Sequence, residues 1–251
     1  MRHLGTCSLP VLLTTSPALC CLCVPRPEPI CEHLRTYKGS ALFLGVVTDI
    51  HYRKVSAGNA RVREQVISFV IEEAFVGIEG KNVTLTSFAD ASRCGYRFRK
   101  GSRYLVDANY GASGSAPHLT VSSCGMTATA EDSMEEIRFL KTAKHNPHGG
   151  ILFGTVKQNV EGSTFVSPNN KPVTGASVIL IAGPNALLRA KKRETAVDST
   201  GWYEFVDLPE GIYTSTVQVP EGFSGVLQHT AELRRDGCAQ VDVRVNEPEE
   251  H

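Results

Sequence analysis

The sequence predicts a mainly β fold: a small β-barrel with one flanking helix, followed by a small Greek-key β-sandwich. Three features carry that prediction. Apolar runs are short, rich in Val, Ile and Phe, and bounded by Gly, Asn or Ser, as strands are. Only one stretch, which begins near Met134, repeats its apolar residues at helical spacing. Pro147, Gly149 and Gly150 interrupt the series midway, and turn residues of this kind separate structural units. With 251 residues the chain is long enough for one large core or two small ones.

Taken in order, the first strand is the bounded apolar run Ala41–Thr48, and Val66–Phe75 follows, β-branched and partly alternating. The polar stretch 55–65 between them reads as a mobile hairpin loop. Asn82–Ser87, Tyr104–Ala108 and His118–Cys124 complete five strands, the number a small barrel needs. Thr129-Ala130-Glu131-Asp132 has capping-box spacing with Asp in the acid position, and so opens a helix whose Met134, Ile137 and Leu140 share a face. The second half restarts as strands at Ile151–Val156, Ala176–Ala182, Tyr203–Val206, Tyr213–Val219 and Ala239–Val245. Turn signals at Pro168-Asn169-Asn170 and Asp198-Ser199-Thr200-Gly201 separate them, at a spacing that fits a β-sandwich. Expected boundaries are a signal peptide over 1–20, a barrel over 21–145, a linker over 146–150, a sandwich over 151–246 and an acidic tail over 247–251.

Lys+Arg and Asp+Glu number 26 each, for a net charge of zero. Long-range attraction to nucleic acid or to an anionic membrane is therefore not expected, and only a local patch would bind such partners. No segment has the ~18 consecutive apolar residues of a spanning helix. A basic start (Met1-Arg2-His3), an apolar centre from Leu4 to Leu19 and a cut after Cys20 fit export. Removal of residues 1–20 leaves Cys21, Cys23, Cys31, Cys94, Cys124 and Cys238, an even number in an oxidising compartment where disulfides persist.

Candidate chemistry is sparse. No nucleophile elbow, zinc-binding His-Glu helix or phosphate loop is present, so no catalytic residue, cofactor or resident metal is expected. In His145-Asn146-Pro147-His148 the proline breaks helical geometry and no carboxylate flanks the pair, which favours a solvated linker over a metal site. Cys21, Cys23 and Cys31 lack the spacing of a recognised zinc finger. Ala190-Lys191-Lys192-Arg193, beside Ala186-Leu187-Leu188, reads as a solvated turn sooner than a glycan contact. Asn82-Val83-Thr84 is a glycosylation sequon. Trp202, the single tryptophan, reads as packing rather than sugar binding.

Two resemblances add to this reading. Cys21-x-Cys23, Cys31, Phe43-Leu44-Gly45-Val46-Val47, Cys94-Gly95, Gly101-x-x-Tyr104-Leu105-Val106 and Cys124 resemble the netrin-like domain of tissue inhibitors of metalloproteinases. That domain is an oligosaccharide-binding-fold (OB-fold) barrel. The resemblance covers roughly residues 21–142. It implies Cys21–Cys94 and Cys23–Cys124 disulfides, each closing a long loop worth ~4–5 kcal/mol in the loop-entropy model. Cys31 departs from the pattern: either it bonds Cys238, or both are free. In that family the first cysteine's amine and carbonyl chelate a protease's zinc and the second side chain enters the specificity pocket, roles that fall here to Cys21 and Leu22. Gly154-x-Val156, Pro172-Val173-x-Gly175-Ala176-x-Val178 and Asp198-x-x-Gly201-x-Tyr203-x-Phe205-x-x-Leu208-Pro209-x-Gly211-x-Tyr213 are similar to carboxypeptidase regulatory-like, transthyretin-like sandwiches. These serve as scaffold or contact surface. The expected function is that of a secreted, non-enzymatic binding or structural protein with an extracellular protein or glycan partner. The competing expectation is a zinc metalloproteinase inhibitor acting through Cys21 and Leu22.

Overall fold

In the computed structural model of the chain, residues 40–57, 60–90, 93–111, 118–146, 148–159, 171–183 and 192–246 are described. The fold is mainly β, as predicted. β1 (Ser40–Ala57), β2 (Ala60–Val76), β3 (Asn82–Phe88), β4 (Arg103–Gly111) and β5 (His118–Thr120) form one sheet in the order β1-β2-β3-β5-β4. A β1–β4 pairing closes it into a barrel and removes both edges. β3 and β5 run parallel and the other neighbours antiparallel. A two-residue strand, β6 (Ala128–Thr129), adds to β4. Inward-facing Phe43, Phe69, Phe98 and Tyr104 fill the barrel edge to face, with ring centroids 5.0–5.5 Å apart, the packing that aromatic quadrupoles favour.

The expectation of a loop over 55–65 is corrected. β1 continues to Ala57 and β2 resumes at Ala60, so the hairpin projects past the barrel as paired strands of 18 and 17 residues. The polar character of the stretch reflects solvent on one face of the ribbon.

The single described helix, α1 (Met134–His145), begins later than the capping box suggests. Thr129 Oγ1 does accept from the Asp132 backbone N–H (3.2 Å), but this closes a turn ahead of the helix, and Ser133 stands at the N-cap without a side-chain bond. The buried face is Ile137, Phe139 and Leu140, whereas Met134 is 63% exposed. Three-residue spacing alone drifts off a 3.6-residue helix, so the face is set by the partners on either side.

The second half forms two stacked sheets. One has the order β10 (Arg193–Ala196), β9 (Ser177–Ala182), β12 (Gly211–Gln218), β14 (Gln228–Leu233). The other has the order β11 (Trp202–Leu208), β7 (Gly150–Gln158), β16 (Val243–Asn246), β13 (Ser224–Gly225). β8 (Lys171–Pro172) and β15 (Cys238–Gln240) also pair with β7. Leu152, Val156, Val178, Leu180, Tyr203, Phe205, Tyr213 and Val243 fill the space between the sheets. The Asp198–Gly201 turn forms as the motif predicts: Asp198 Oδ1 accepts from the Thr200 N–H (2.9 Å), and Gly201 has φ +85°.

α1 joins the two halves. Leu42, Leu44 and Leu105 of the barrel and Ile151, Phe153 and Trp202 of the sandwich meet it in one buried cluster. Phe139 stacks on Phe153 (4.5 Å), which stacks on Trp202 (5.2 Å). Lys141 and Lys144 reach Glu73 of β2 at 3.6 and 3.5 Å. On the sandwich side Arg138 pairs with Asp198, Glu135 with Lys157, and Thr142 donates to Glu204 (3.0 Å).

Burial alone would raise the Asp198 pKa, but hydrogen bonds from Arg138, Thr200 and the Trp202 backbone outweigh it and hold the carboxyl at about 2. The unfolded value is about 3.9. The stabilisation is therefore present above about pH 4 and is lost as pH falls from there through about 2. Because the side chain is 37% exposed, screening reduces it to about 1 kcal/mol. Acid titration of stability is expected to show this loss, and Asp198→Asn to flatten the curve between about pH 4 and 2.

Candidate functional site

Cys21, Leu22, Cys23 and Cys31 lie outside the described residues. Cys94, Cys124 and Cys238 are disulfide-bonded. The first two share one end of the barrel: the Cys94 carbonyl accepts from the Ser123 N–H (2.7 Å), and Gly95 bridges Ser122. Cys94 has φ +55°, unusual for a residue with a Cβ. Its neighbour explains the Cys-Gly pair, since a Cβ on Gly95 would lie 1.9 Å from the Phe88 carbonyl oxygen. Cys238 opens β15 and packs against the cluster that joins the two halves.

His145 Nδ1 lies 2.6 Å from the Lys141 carbonyl, and no group of three metal-binding side chains occurs among the described residues. Trp202 is 2% exposed, a packing residue. Of the basic run, Lys192 pairs with Glu194 (3.5 Å), while Arg193 donates to the Val206 carbonyl (2.7 Å) and lies over Phe205. Ala186 to Lys191 are outside the described residues, as are Pro168 to Asn170. Among the described residues no helix is long and apolar enough to cross a membrane.

A surface that sequence reading missed is the projecting hairpin. Directly opposed residues of an antiparallel pair share a face. One face carries Val55 opposite Val62 and Arg53 opposite Glu64; Val62 and Glu64 are buried, and Arg53 pairs with Glu64 at 2.7 Å. The other face carries Tyr52 opposite Gln65, Lys54 opposite Arg63 and Ser56 opposite Arg61. At its root Gln65 donates to the Phe88 and Tyr96 carbonyls (3.3 and 2.9 Å), which sets the loop of residues 93–102 beside it. That loop contributes exposed Arg97, Arg99 and Lys100. Lys100 pairs with Asp49 (3.2 Å), whose pKa is lowered chiefly by that hydrogen bond. Lys54, Arg61, Arg63, Arg97 and Arg99 form no ion pair with any described residue, though Arg63 lies 4.0 Å over the Tyr52 ring.

The face thus holds a ladder of cations at strand spacing, ~6.8 Å between alternate residues, with an aromatic ring at its foot. Like charges placed directly opposite, as Lys54 and Arg63 are, destabilise a pair of strands. A polyanion laid along the ribbon would relieve that repulsion. The signal was present in the sequence: Arg61 and Arg63 alternate after a Gly58-Asn59 hairpin dipeptide that lies midway between Lys54 and Arg63.

No protein-family model matches the chain, and no curated protein does. Among solved structures it is similar to the full-length major pilin SpaD of Corynebacterium diphtheriae, at 13% identity over 40% of this chain and 33% of that one, with a TM-score of 0.33. The minor pilin GBS52 of Streptococcus agalactiae matches at 12% identity over 79% of this chain and 90% of that one, TM-score 0.32. The major pilin subunit BcpA of Bacillus cereus matches at 11% over 86% and 61%, TM-score 0.29. The chain thus spans about a third of the SpaD chain.

Proposed function

We propose that this chain is an extracellular, non-enzymatic binding protein that holds a sulfated glycan on the cationic hairpin face of its barrel. The observation that carries the reading is the opposition of Lys54 and Arg63 on the exposed face of a two-stranded ribbon, with Arg61 beside them and no carboxylate paired to any of the three among the described residues. A chain of zero net charge that concentrates cations on one ribbon has local, not global, affinity for anions. Disulfide-bonded Cys94, Cys124 and Cys238 favour an oxidising compartment, which favours a glycan over nucleic acid as the polyanion.

The test is salt-dependent binding to heparin. The wild type is expected to be retained and released by salt, as screening weakens exposed charge contacts. The double reversal Lys54→Glu/Arg63→Glu loses two attractions and gains two repulsions. At roughly 0.5 kcal/mol each, binding weakens by about 2 kcal/mol, or roughly 30-fold. Lys171→Glu, on the sandwich, should leave it unchanged. Equal loss in both variants, no salt-dependent retention, or stronger competition by single-stranded DNA than by heparin would reject the glycan reading.

The inhibitor reading is secondary. It draws support from two disulfide-bonded cysteines, Cys94 and Cys124, at one barrel end, where bonds to Cys21 and Cys23 would fix a chelating terminus. In that case a single residue added ahead of Cys21 converts the donor amine to an amide. Inhibition of a zinc protease is then expected to vanish while heparin binding persists, and inhibition that survives the extension excludes chelation.

A further inference from the structure

Between the barrel, α1 and the sandwich lies a cavity of about 650 Å³, within the range of small-molecule sites. Its floor is apolar, formed by Ala130, Ile137, Pro172 and Trp202, with Met134 alongside. Met134 is 63% exposed, an apolar side chain that finds no core of its own. Four cations, Arg103, Arg138, Lys141 and Lys157, surround this floor.

The way these cations are paired sets the sign of the field. Arg103 is held by Glu72 (2.6 Å), Arg138 by Asp198 and Lys141 by Glu73 (3.6 Å), and none of these three carboxylates lines the cavity. Only Glu135, the partner of Lys157, does. Three of the four ion pairs thus place their cation, and not their carboxylate, on the cavity wall. Arg138 is further fixed over the Trp202 ring, 5.1 Å from its centroid. Positioned cations around an apolar floor are complementary to one kind of molecule, an apolar body that ends in an anionic group.

We propose that this cavity beside α1 binds a small amphipathic anion, a carboxylate or sulfonate on a hydrophobic body, independently of the hairpin surface. The site requires both halves of the chain, since Arg103 comes from β4, Lys157 and Trp202 from the sandwich, and Arg138 and Lys141 from α1. It would form only when α1 is docked on both.

Trp202 is the single tryptophan and lies in the floor, so its emission reports on this site. Anilinonaphthalene sulfonate is titrated into the full-length protein with excitation of Trp202, and laurate is then added as competitor. The expected result is saturable quenching of Trp202 with sensitised probe emission, reversed by laurate. Met134→Glu places a carboxylate at an exposed position and is expected to weaken binding about tenfold with an unchanged circular dichroism spectrum. Lys141→Gln should weaken it in the same direction. Lys54→Glu/Arg63→Glu should not, which separates this site from the glycan surface. Absence of saturable energy transfer overturns the proposal. So does equal affinity in Met134→Glu, or binding of uncharged phenylnaphthylamine as tight as that of the sulfonate.

Discussion

Phe153→Ala is expected to destabilise the protein by about 3–5 kcal/mol and to let its two halves unfold separately. Phe153 is the middle ring of the Phe139–Phe153–Trp202 stack and is 2% exposed. It does not belong to the sandwich core, because alternate residues of β7 face opposite ways and Leu152 and Val156 point between the sheets. Truncation would thus empty the seam under α1 while leaving both inner cores filled. Denaturation followed by Trp202 emission and by far-UV circular dichroism should give coincident transitions in the wild type. In Phe153→Ala the Trp202 transition should come first. Leu152→Ala serves as the contrast: it empties the sandwich core itself and should shift both probes together. A Phe153→Ala protein that melts in one transition within about 1 kcal/mol of wild type would show that the seam is not what couples the halves.

Gly154→Ala is expected to be still more disruptive, preventing the sandwich from closing. A Cβ on Gly154 would lie 1.9 Å from the Val241 carbonyl oxygen, a backbone atom. That carbonyl is fixed twice over: it accepts the Tyr203 hydroxyl (2.6 Å), and the Val241 N–H donates to the Phe153 carbonyl (2.8 Å). Neither neighbour can yield without breaking the crossing of the chain from β15 to β16. Overpacking ordinarily costs ~1–3 kcal/mol, and a clash with fixed backbone is expected to reach or exceed the top of that range. Tyr203→Phe removes only the hydroxyl bond and should cost about 1 kcal/mol. Thermal melting of the two variants distinguishes them, and Gly154→Ala as mild as Tyr203→Phe would refute the close approach.

The small residues that marked the second half in the sequence have steric causes. Gly154 admits the Val241 carbonyl, Gly201 supplies a positive φ to the Asp198 turn, and Tyr203 and Phe205 alternate into one core. β14 was not legible. Gln228-His229-Thr230-Ala231-Glu232-Leu233 has one fully buried side chain, Leu233, and the strand exists because β12 offers it a free edge. Arg61 and Arg63 were likewise read as part of a polar loop, since polarity on one face of a two-stranded ribbon looks the same in one dimension as polarity throughout.

The sequence by itself determined the β class, nine of the strands, the position of the helix and the Asp198 turn, because these depend on side-chain period and on residues with special backbone freedom; the expected strand Ala239–Val245 is instead split into β15 and β16. Only the tertiary structure decided which way α1 faces, that Trp202 lies in a seam between two cores, and that cations distant from one another in the chain line one cavity. Arg103, Lys141 and Lys157 are brought together by strand pairing and helix docking. Such contacts form between residues far apart in sequence, and no local pattern encodes them.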